Sequence, residues 1–231
     1  MIKVVLLDID DTLLDFQGYV KESLQEGFRE FNLGEYHEGV YATFTRINTA
    51  LWHEIEEGKL TIPDLRRVRW NRIFGELGVT YDGAAFEDYF RGRLFHSAIR
   101  VEGAMELLEY LYGRYILAVA SNGPYAQQVN RLKNGGMLDC FTGIFVSEKI
   151  GVSKPAPAFF DACMAELNEG RVDPILPGEV LMVGDSVSSD MKGAIGYGMK
   201  TCYFNRFGKG LPEGMTVDYE ITHLEHLIGL I

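Results

Sequence analysis

The sequence predicts an α/β fold, a doubly wound parallel sheet that carries an inserted all-helical segment. An apolar run at 4–7 ends at an acidic cluster, as expected of a strand covered on both faces. From Gly103 onward, helix-like and strand-like patterns alternate, which is typical of a parallel sheet flanked by helices. Between these regions only helical periodicity occurs. We therefore expect a core formed by 1–15 and 97–231, and a helical domain at 16–96.

The composition indicates a globular protein with an acidic surface. Of the 231 residues, 47% are hydrophobic, and the formal net charge is −11. A nucleic-acid polymer is an unexpected partner for such a chain, because proteins that bind one present concentrated basic patches. The sequence leaves monomer and homodimer equally open.

The expected compartment is the cytoplasm. The apolar run before Asp8 is too short for a signal peptide or a membrane span, so no membrane partner is expected. Cys140, Cys163 and Cys202 are far apart in the sequence, and we expect them to be reduced core residues.

The first strand leads directly into polar residues. Side chains alternate along a strand, so Asp8 and Asp10 should project to one side, with Thr12 close behind. Two adjacent carboxylates repel each other unless a cation or a shared proton relieves them, which points to a site. The alternative is that 10–12 is only a turn and helix cap, since Asp and Thr suit both.

Apolar stripes at three- and four-residue spacing predict four helices in the insertion. Their members are Val20, Leu24, Phe28 and Phe31; Val40, Phe44, Ile47, Leu51 and Ile55; Leu65, Val68, Ile73 and Leu77; and Phe86, Phe90 and Leu94.

The remaining pattern predicts alternating elements in the core. Helices are predicted around 105–111 and over 125–134, 157–167 and 188–197, strands over 115–120, 143–147, 180–184 and 201–204, and a loop over 168–178. In folds of this class, ligands bind beyond the carboxyl ends of the strands.

Polar residues recur at those predicted strand ends. They are Asp8 and Asp10, Ser121 and Asn122, Lys154, and Asp185 with Asp190. Each has a simpler explanation: a turn at 121–123, a solvated surface lysine, or carboxylates that cap the following helix. Pro155 restricts the backbone of Lys154 to extended conformations, which would help to aim its side chain. Their recurrence at successive strand ends favours a single functional site.

Four segments resemble, in order and spacing, the four motifs of the haloacid dehalogenase superfamily. They are Asp8-Ile9-Asp10-Asp11-Thr12, Ser121-Asn122-Gly123, Lys154-Pro155, and Gly184-Asp185-Ser186 with Asp190. The resemblance covers nearly the whole chain, and the helical insertion is similar to the type 1 cap of that superfamily.

Further residues resemble the branch that contains pyrimidine 5'-nucleotidases. They are Asp11, where many members have Gly, the run Leu13-Leu14-Asp15-Phe16, and Leu51-Trp52 with Glu54 and Gly58. The resemblance implies a Mg²⁺-dependent phosphomonoester hydrolase that acts on a small phosphate ester, with a pyrimidine nucleoside 5'-monophosphate as the first expected substrate.

The resemblance also implies roles for the four aspartates. Asp8 would be the nucleophile that forms an aspartyl-phosphate, and Asp10 would be the general acid and base, held initially in its acid form. Mg²⁺ would be bound by Asp8, by the backbone carbonyl of Asp10 and by Asp185, with Asp190 orienting these ligands.

The remaining motif residues would bind the phosphoryl group. Ser121, Asn122 and Lys154 are expected to hold its oxygens and to neutralise the charge that spreads over them. The Thr12 hydroxyl would tie down its loop.

Substrate choice would fall to the insertion, where three residues are candidates. Phe16 could contact the substrate or be a core aromatic residue. Asn48 and Trp52 share one helix face and could bind and stack a base, although such a pair more often packs the helices together. A solvated face is the expected setting of four arginines, Arg66, Arg67, Arg69 and Arg72.

Other functions are compatible with parts of the pattern. A sugar-phosphate phosphatase or a phosphomutase of the same superfamily would use the same motifs. A C–halogen hydrolase would need neither Asp10 nor the metal. A phospho-accepting receiver module would have no reason to carry the helical insertion. The phosphate-binding loop typical of many nucleoside triphosphatases is absent from the sequence.

Overall fold

A computed structural model describes all 231 residues of the chain. The chain forms two compact units, which are described separately. The first consists of Met1–Asp15 and Ala98–Ile231, and the second of Phe16–Ser97. No helix in either unit is both long enough and apolar enough to cross a membrane.

The first unit contains one parallel sheet of six strands. In chain order they are β1 (Val4–Leu7), β2 (Ile116–Ser121), β3 (Gly143–Val146), β4 (Val180–Gly184), β5 (Lys200–Phe204) and β6 (Tyr219–Ile221). Their order across the sheet is β3-β2-β1-β4-β5-β6, so β1 pairs with β2 on one side and with β4 on the other. The predicted fold class is confirmed. The direction of strand addition reverses between β1 and β4, and such a reversal is where folds of this class bind ligands.

Helices cover both faces of the sheet. The first unit contains α5 (Ala104–Leu111), α6 (Tyr125–Asn134), α7 (Ser147–Ile150), α8 (Pro157–Leu167) and α9 (Lys192–Tyr197). Alternate residues of β1 enter two different apolar clusters: Val5 and Leu7 belong to one, Val4 and Leu6 to the other. Burial on both faces is the reason why the strand is a continuous apolar run rather than an alternating one.

Three features of this unit differ from the prediction. The helix α7 begins at Ser147, where the strand predicted over 143–147 was expected to end. A single helix was expected over 188–197, but a π-helical turn, Val187–Met191, precedes α9. The carbonyl of Ser186 accepts hydrogen bonds from the amides of both Asp190 and Met191, which widens this turn. The strand β6 was missed because three residues are too few to produce a recognisable alternation.

The second unit is a set of four helices, each of which was predicted. They are α1 (Phe16–Glu30), α2 (Glu38–Glu56), α3 (Ile62–Leu77) and α4 (Gly83–His96). Thr61 begins α3 with a capping box that it forms with Asp64. Aromatic side chains fill the centre: the Trp70 ring lies 4.4 Å from Phe86 and 5.1 Å from Phe90, measured between centroids.

One expectation for this unit is wrong. Arg69 does not lie on a solvated face, because its side chain is 6% exposed and forms a bidentate ion pair with Glu87, which is 4% exposed. The Arg69 guanidinium also donates to Asn48 Oδ1 at 3.0 Å. Burial raises the pKa of Glu87 while Arg69 opposes the rise. Removing either residue would leave an uncompensated buried charge.

Candidate active site at the carboxyl ends of β1 and β4

Lys154 lies at the centre of the site. Its ammonium group is buried and donates to Asp8 Oδ1 at 2.8 Å, to Asp190 Oδ1 at 2.6 Å and to the Ala120 carbonyl at 2.5 Å. Burial lowers the pKa of Lys154, but the charges of Asp190 and Asp8 outweigh that effect and raise it above its ordinary value. Lys154 is therefore a permanent cation between two carboxylates, which rules out the solvated surface lysine considered as its alternative.

Three carboxylates converge at the point where the strand order reverses. Oxygen atoms of Asp8, Asp185 and Asp190 all lie within 4.8 Å of one another. Burial raises the pKa of Asp8 to about 7, against the opposing effect of Lys154, and the charges of Asp190 and Asp10 add to the rise. Burial, together with the charges of Asp11, Asp8 and Asp190, also raises the pKa of Asp185 well above its ordinary value.

This donor set fits a hard divalent cation. Burial and the neighbouring carboxylates raise the pKa values of Asp8 and Asp185 because the charge of Lys154 does not offset the cost of ionising these buried groups together. Carboxylate oxygens are the ligands that Mg²⁺ prefers, and a dication bound among them would relieve the mutual repulsion. Asp190 already accepts a hydrogen bond from Lys154, which agrees with an orienting role for it.

The backbone around the cluster is fixed by side chains from other segments. The Thr12 hydroxyl accepts a hydrogen bond from the amide of Asp185 at 3.1 Å, so Thr12 ties the loop after β1 to the end of β4. Asp190 Oδ2 accepts from the amide of Ser186, also at 3.1 Å. The π-helical turn thus presents Asp190 both to the Ser186 amide and to Lys154.

Asn122 contacts the main chain of Lys154. Its Nδ2 donates to the Lys154 carbonyl at 3.0 Å, and its Oδ1 accepts from the Lys154 amide at 2.9 Å. Both functional groups of the side chain are engaged in this way, and the contact of Asn122 with phosphoryl oxygens that was expected from the sequence stays a prediction. Asn122 therefore holds the Lys154 segment in place, and the peptide bond from Lys154 to Pro155 is cis.

The Asp10 carboxylate has partners that the sequence analysis missed. Arg131 Nη1 donates to its Oδ1 at 2.6 Å, and Gln128 Nε2 donates to its Oδ2 at 2.9 Å. The same Gln128 nitrogen donates to Ser121 Oγ at 2.9 Å. The Asp10 side chain is not part of the three-carboxylate cluster, and its carboxylate oxygens are instead engaged by Arg131 and Gln128. The metal ligand expected from Asp10 is its backbone carbonyl, and that expectation stays a prediction.

The sequence signal for these two residues is their spacing, and their burial is shown only by the structure. The buried face of α6 consists of Gln128, Arg131 and Leu132, so two of its three buried residues are polar. Their three-residue spacing puts the polar pair on one helix face directly after the Ser121 strand. Polar residues at core positions of an amphipathic helix indicate a buried partner.

The three substrate-binding candidates all lie in the helical unit. Asn48 is buried, and its Oδ1 accepts the hydrogen bond from Arg69, so the structure gives it the helix-packing role that was the alternative. Trp52 is half-buried on α2. Phe16 is half-buried at the start of α1, with its ring 6.1 Å from that of Tyr19.

Comparison with known proteins agrees with this geometry. The family model described as haloacid dehalogenase-like hydrolase matches residues 2–198. The HAD-hydrolase YfnB of Bacillus subtilis is 31% identical over 99% of this chain and 95% of its own. The pyrimidine 5'-nucleotidase YjjG of Escherichia coli is 28% identical over 98% of this chain and 96% of its own. The glyceraldehyde 3-phosphate phosphatase of Pyrococcus furiosus is 26% identical over 100% of this chain and 93% of its own.

A solved structure extends the likeness to three dimensions. The crystal structure of Bacillus subtilis YfnB bound to magnesium has a TM-score of 0.88 and 30% sequence identity, covering 99% of this chain and 98% of that one. The match therefore includes both compact units and all four motif segments. The chain belongs to the haloacid dehalogenase superfamily of hydrolases.

Proposed function

We propose that this protein is a Mg²⁺-dependent phosphomonoester hydrolase that uses Asp8 as its nucleophile. The observation that carries the proposal is the Asp8 carboxylate, fixed by Lys154 at 2.8 Å and grouped with two further carboxylates at the strand-order reversal. A carboxylate held by a cation beside a candidate metal site is equipped to attack phosphorus, because the cations offset the repulsion between two anions.

The reaction proceeds in two displacement steps. An Asp8 oxygen bonds to phosphorus as the ester P–O bond breaks, and the leaving alkoxide takes a proton from the Asp10 carboxyl group. Water then attacks the aspartyl-phosphate and gives a proton to the Asp10 carboxylate, and the bond between phosphorus and Asp8 breaks to release phosphate. The net change is one ester and one water converted to one alcohol and one phosphate.

The other site residues orient the reacting groups and neutralise the charge on the phosphoryl oxygens. Lys154 contacts Asp8 and the Ala120 carbonyl of β2, and Ser121 is the last residue of that strand, so these two side chains are proposed to hold the phosphoryl oxygens. Asp8, Asp185 and the backbone carbonyl of Asp10 would hold the Mg²⁺, with Asp190 orienting the ligands. When bound, the ion would polarise the phosphoryl oxygens and reduce the repulsion that the nucleophile meets.

Nucleoside 5'-monophosphates, pyrimidine ones first, are the proposed substrates. Support comes from the similarity to the pyrimidine 5'-nucleotidase YjjG and from the branch-like residues around Asp11 and Trp52. Sugar phosphates are the second class, because a glyceraldehyde 3-phosphate phosphatase matches the full length of the chain. A phosphomutase would return the phosphoryl group to a sugar instead of to water.

Phosphate release from a substrate panel separates these alternatives. The panel contains dUMP, dTMP, UMP, purine nucleoside monophosphates and sugar phosphates, each assayed with Mg²⁺, with chelator, and with Mg²⁺ restored. We expect Mg²⁺-dependent release, fastest from the pyrimidine nucleotides. Release mainly from sugar phosphates would make these, rather than nucleotides, the substrate class. Activity that chelator does not change would refute the Mg²⁺ dependence.

The substitution Asp8→Asn tests the nucleophile. We expect turnover to fall on the order of 10³-fold or more, since no aspartyl-phosphate can form. The melting temperature should change little, because the Asn carboxamide oxygen can still accept the hydrogen bond from Lys154 while repulsion among the three carboxylates is reduced. The exposed Asp139→Asn is the matched control and should keep wild-type turnover. Substantial phosphatase activity in Asp8→Asn, measured as phosphate release at saturating substrate, would contradict the assignment.

A further inference from the structure

The inner face of α6 carries a polar pair that none of the four motif segments includes. Gln128 is fully buried and Arg131 is 1% exposed. Arg131 forms an ion pair with Asp10, and its Nη1 also donates to Gln128 Oε1 at 3.0 Å. The pair therefore behaves as one unit, in which the arginine fixes the orientation of the amide that it contacts.

Packing alone does not account for this arrangement. Burying a guanidinium carries a large desolvation penalty, and an apolar residue of similar volume often stabilises a core as well or better. The Asp10 side chain that Arg131 reaches is 31% exposed, so a buried cation is directed at a carboxylate that remains accessible. The Arg131 guanidinium therefore lies where it can fix the Asp10 carboxylate.

Both oxygens of Asp10 are fixed. Oδ1 accepts from Arg131 at 2.6 Å and Oδ2 accepts from Gln128 at 2.9 Å, which together determine the direction and the tilt of the carboxylate. Each carboxylate oxygen can accept a second hydrogen bond, so the group can still engage a water or a leaving oxygen. Gln128 further links this carboxylate to Ser121 Oγ, one of the proposed phosphoryl contacts.

We propose that Gln128 and Arg131 are positioning residues that hold Asp10 for proton transfer in both steps of the reaction. The inference rests on the proposed function and assigns two residues to it. Without the pair, the Asp10 carboxylate would lose its fixed direction, and the proton transfers to the leaving alkoxide and from the attacking water would both slow. Phosphoryl binding through Lys154, which contacts Asp8, Asp190 and the Ala120 carbonyl, would change little, whereas a Gln128 variant would also lose the contact with Ser121 Oγ.

The test compares Arg131→Lys and Gln128→Met with wild type and with Lys133→Gln, an exposed control on the same helix. Lysine keeps the charge of Arg131 but lacks its planar fork, and methionine keeps the length of Gln128 but cannot donate. Each variant is assayed on an alkyl phosphomonoester, whose alkoxide needs a proton, and on p-nitrophenyl phosphate, whose leaving group does not. Melting temperature and Mg²⁺ binding by calorimetry report on the fold and on the metal site.

For Arg131→Lys we expect kcat on the alkyl ester to fall about 10²-fold with little change in KM, the size typical of a lost general acid–base contribution. With p-nitrophenyl phosphate, formation of the aspartyl-phosphate is spared and only its hydrolysis slows. The variant should therefore give a burst of nitrophenolate close to one per enzyme, followed by a slow steady state. Gln128→Met should show the same pattern to a smaller degree, and Lys133→Gln should match wild type.

If the wild-type protein is an active phosphatase, the proposed function stands, and three results would still overturn the inference about Gln128 and Arg131. They are unchanged kinetics in both variants, faster turnover in either, or an equal loss on both substrates without a burst, which is the signature of general destabilisation. If Arg131→Lys does not fold, Gln128→Met decides by the same criteria. A wild-type protein that releases no phosphate from any substrate would instead refute the proposed function, and the inference with it.

Discussion

Gly184 lacks a side chain where Asp190 needs space. A Cβ at this position would lie 2.1 Å from Asp190 Oδ2, well inside any real contact distance. The absence of a side chain lets the last residue of β4 approach the carboxylate that binds Lys154. Position 184 therefore requires glycine because the Asp190 carboxylate lies so close to its backbone, and not because of its backbone angles.

We predict that Gly184→Ala disrupts the site. The added methyl group would push the Asp190 carboxylate away from Lys154, leaving a buried ammonium with one carboxylate fewer, so both the melting temperature and Mg²⁺ affinity should fall. Thermal unfolding and calorimetry with Mg²⁺ alone measure the two effects. Gly196→Ala is the control, since a Cβ there meets nothing within 4 Å. Unchanged Mg²⁺ affinity in Gly184→Ala would contradict the argument.

Asp11 occupies a backbone conformation that favours glycine. Its φ is 59°, in the left-handed region that Asp tolerates better than most residues with a side chain. The resemblance to a family in which many members have Gly at this position thus has a physical basis. The charge of Asp11 also contributes to the raised pKa of Asp185, an effect that glycine could not have.

At the scale of elements, Asp218 fixes the register between β5 and β6. Its Oδ2 accepts from the Thr201 amide at 2.9 Å and from the Thr201 hydroxyl at 3.1 Å, and its Oδ1 accepts from Lys200 at 2.6 Å. Burial opposes ionisation, but the bonds from Lys200 and Thr201 outweigh it and lower the pKa of Asp218 below its ordinary 3.8. A three-residue strand is thereby held at the sheet edge by a side chain just before it.

We predict a pH-dependent loss of stability in Asp218→Asn. A depressed pKa stabilises the fold above the unfolded value of 3.8, and that contribution disappears as the pH falls through the lower folded pKa. A loss of about 1 kcal/mol would lower the melting temperature by about 2–4 °C at pH 7, and the difference should vanish in acid. Thermal unfolding from pH 7 to about pH 2 measures it, with the highly exposed Asp173→Asn as control. A difference that is constant over this range would contradict the electrostatic cause.

At the scale of the whole molecule, the net charge opposes the proposed substrate. A protein with a formal charge of −11 repels a phosphate dianion at long range, and Lys154 and the metal ligands act only within the site. Salt screens exposed charges over about 8–10 Å near 0.1 M, so the long-range repulsion should weaken before the short-range contacts do.

We therefore predict that kcat/KM rises with moderate salt. Between about 0.02 and about 0.15 M KCl, at saturating Mg²⁺, we expect an increase of about two- to threefold. Sucrose at matched osmolality is the control for effects of crowding and viscosity. A fall in kcat/KM with salt, measured at low substrate concentration, would show that local cations dominate the encounter.

Local pattern was sufficient for most of the elements and for the motif residues of the candidate site, but it missed β6, the π-helical turn and the partners of Asp10. The buried β1, the four helices of the insertion and the strand-end positions of Asp8, Lys154 and Asp185 follow from apolar periodicity and from turn chemistry, which are properties of neighbouring residues. The sequence also indicated membership of the superfamily, because the motif residues recur in a fixed order.

The tertiary structure alone decided which side chains meet. The contact between Asp10 and Arg131 joins residues 121 positions apart, and that between Lys154 and Asp8 joins residues 146 apart. Arg69 was misjudged for the same reason, since its partner Glu87 lies on another helix. Periodicity reports which face of an element is buried, but the partner of a buried charge depends on how distant elements pack, and that information is not local.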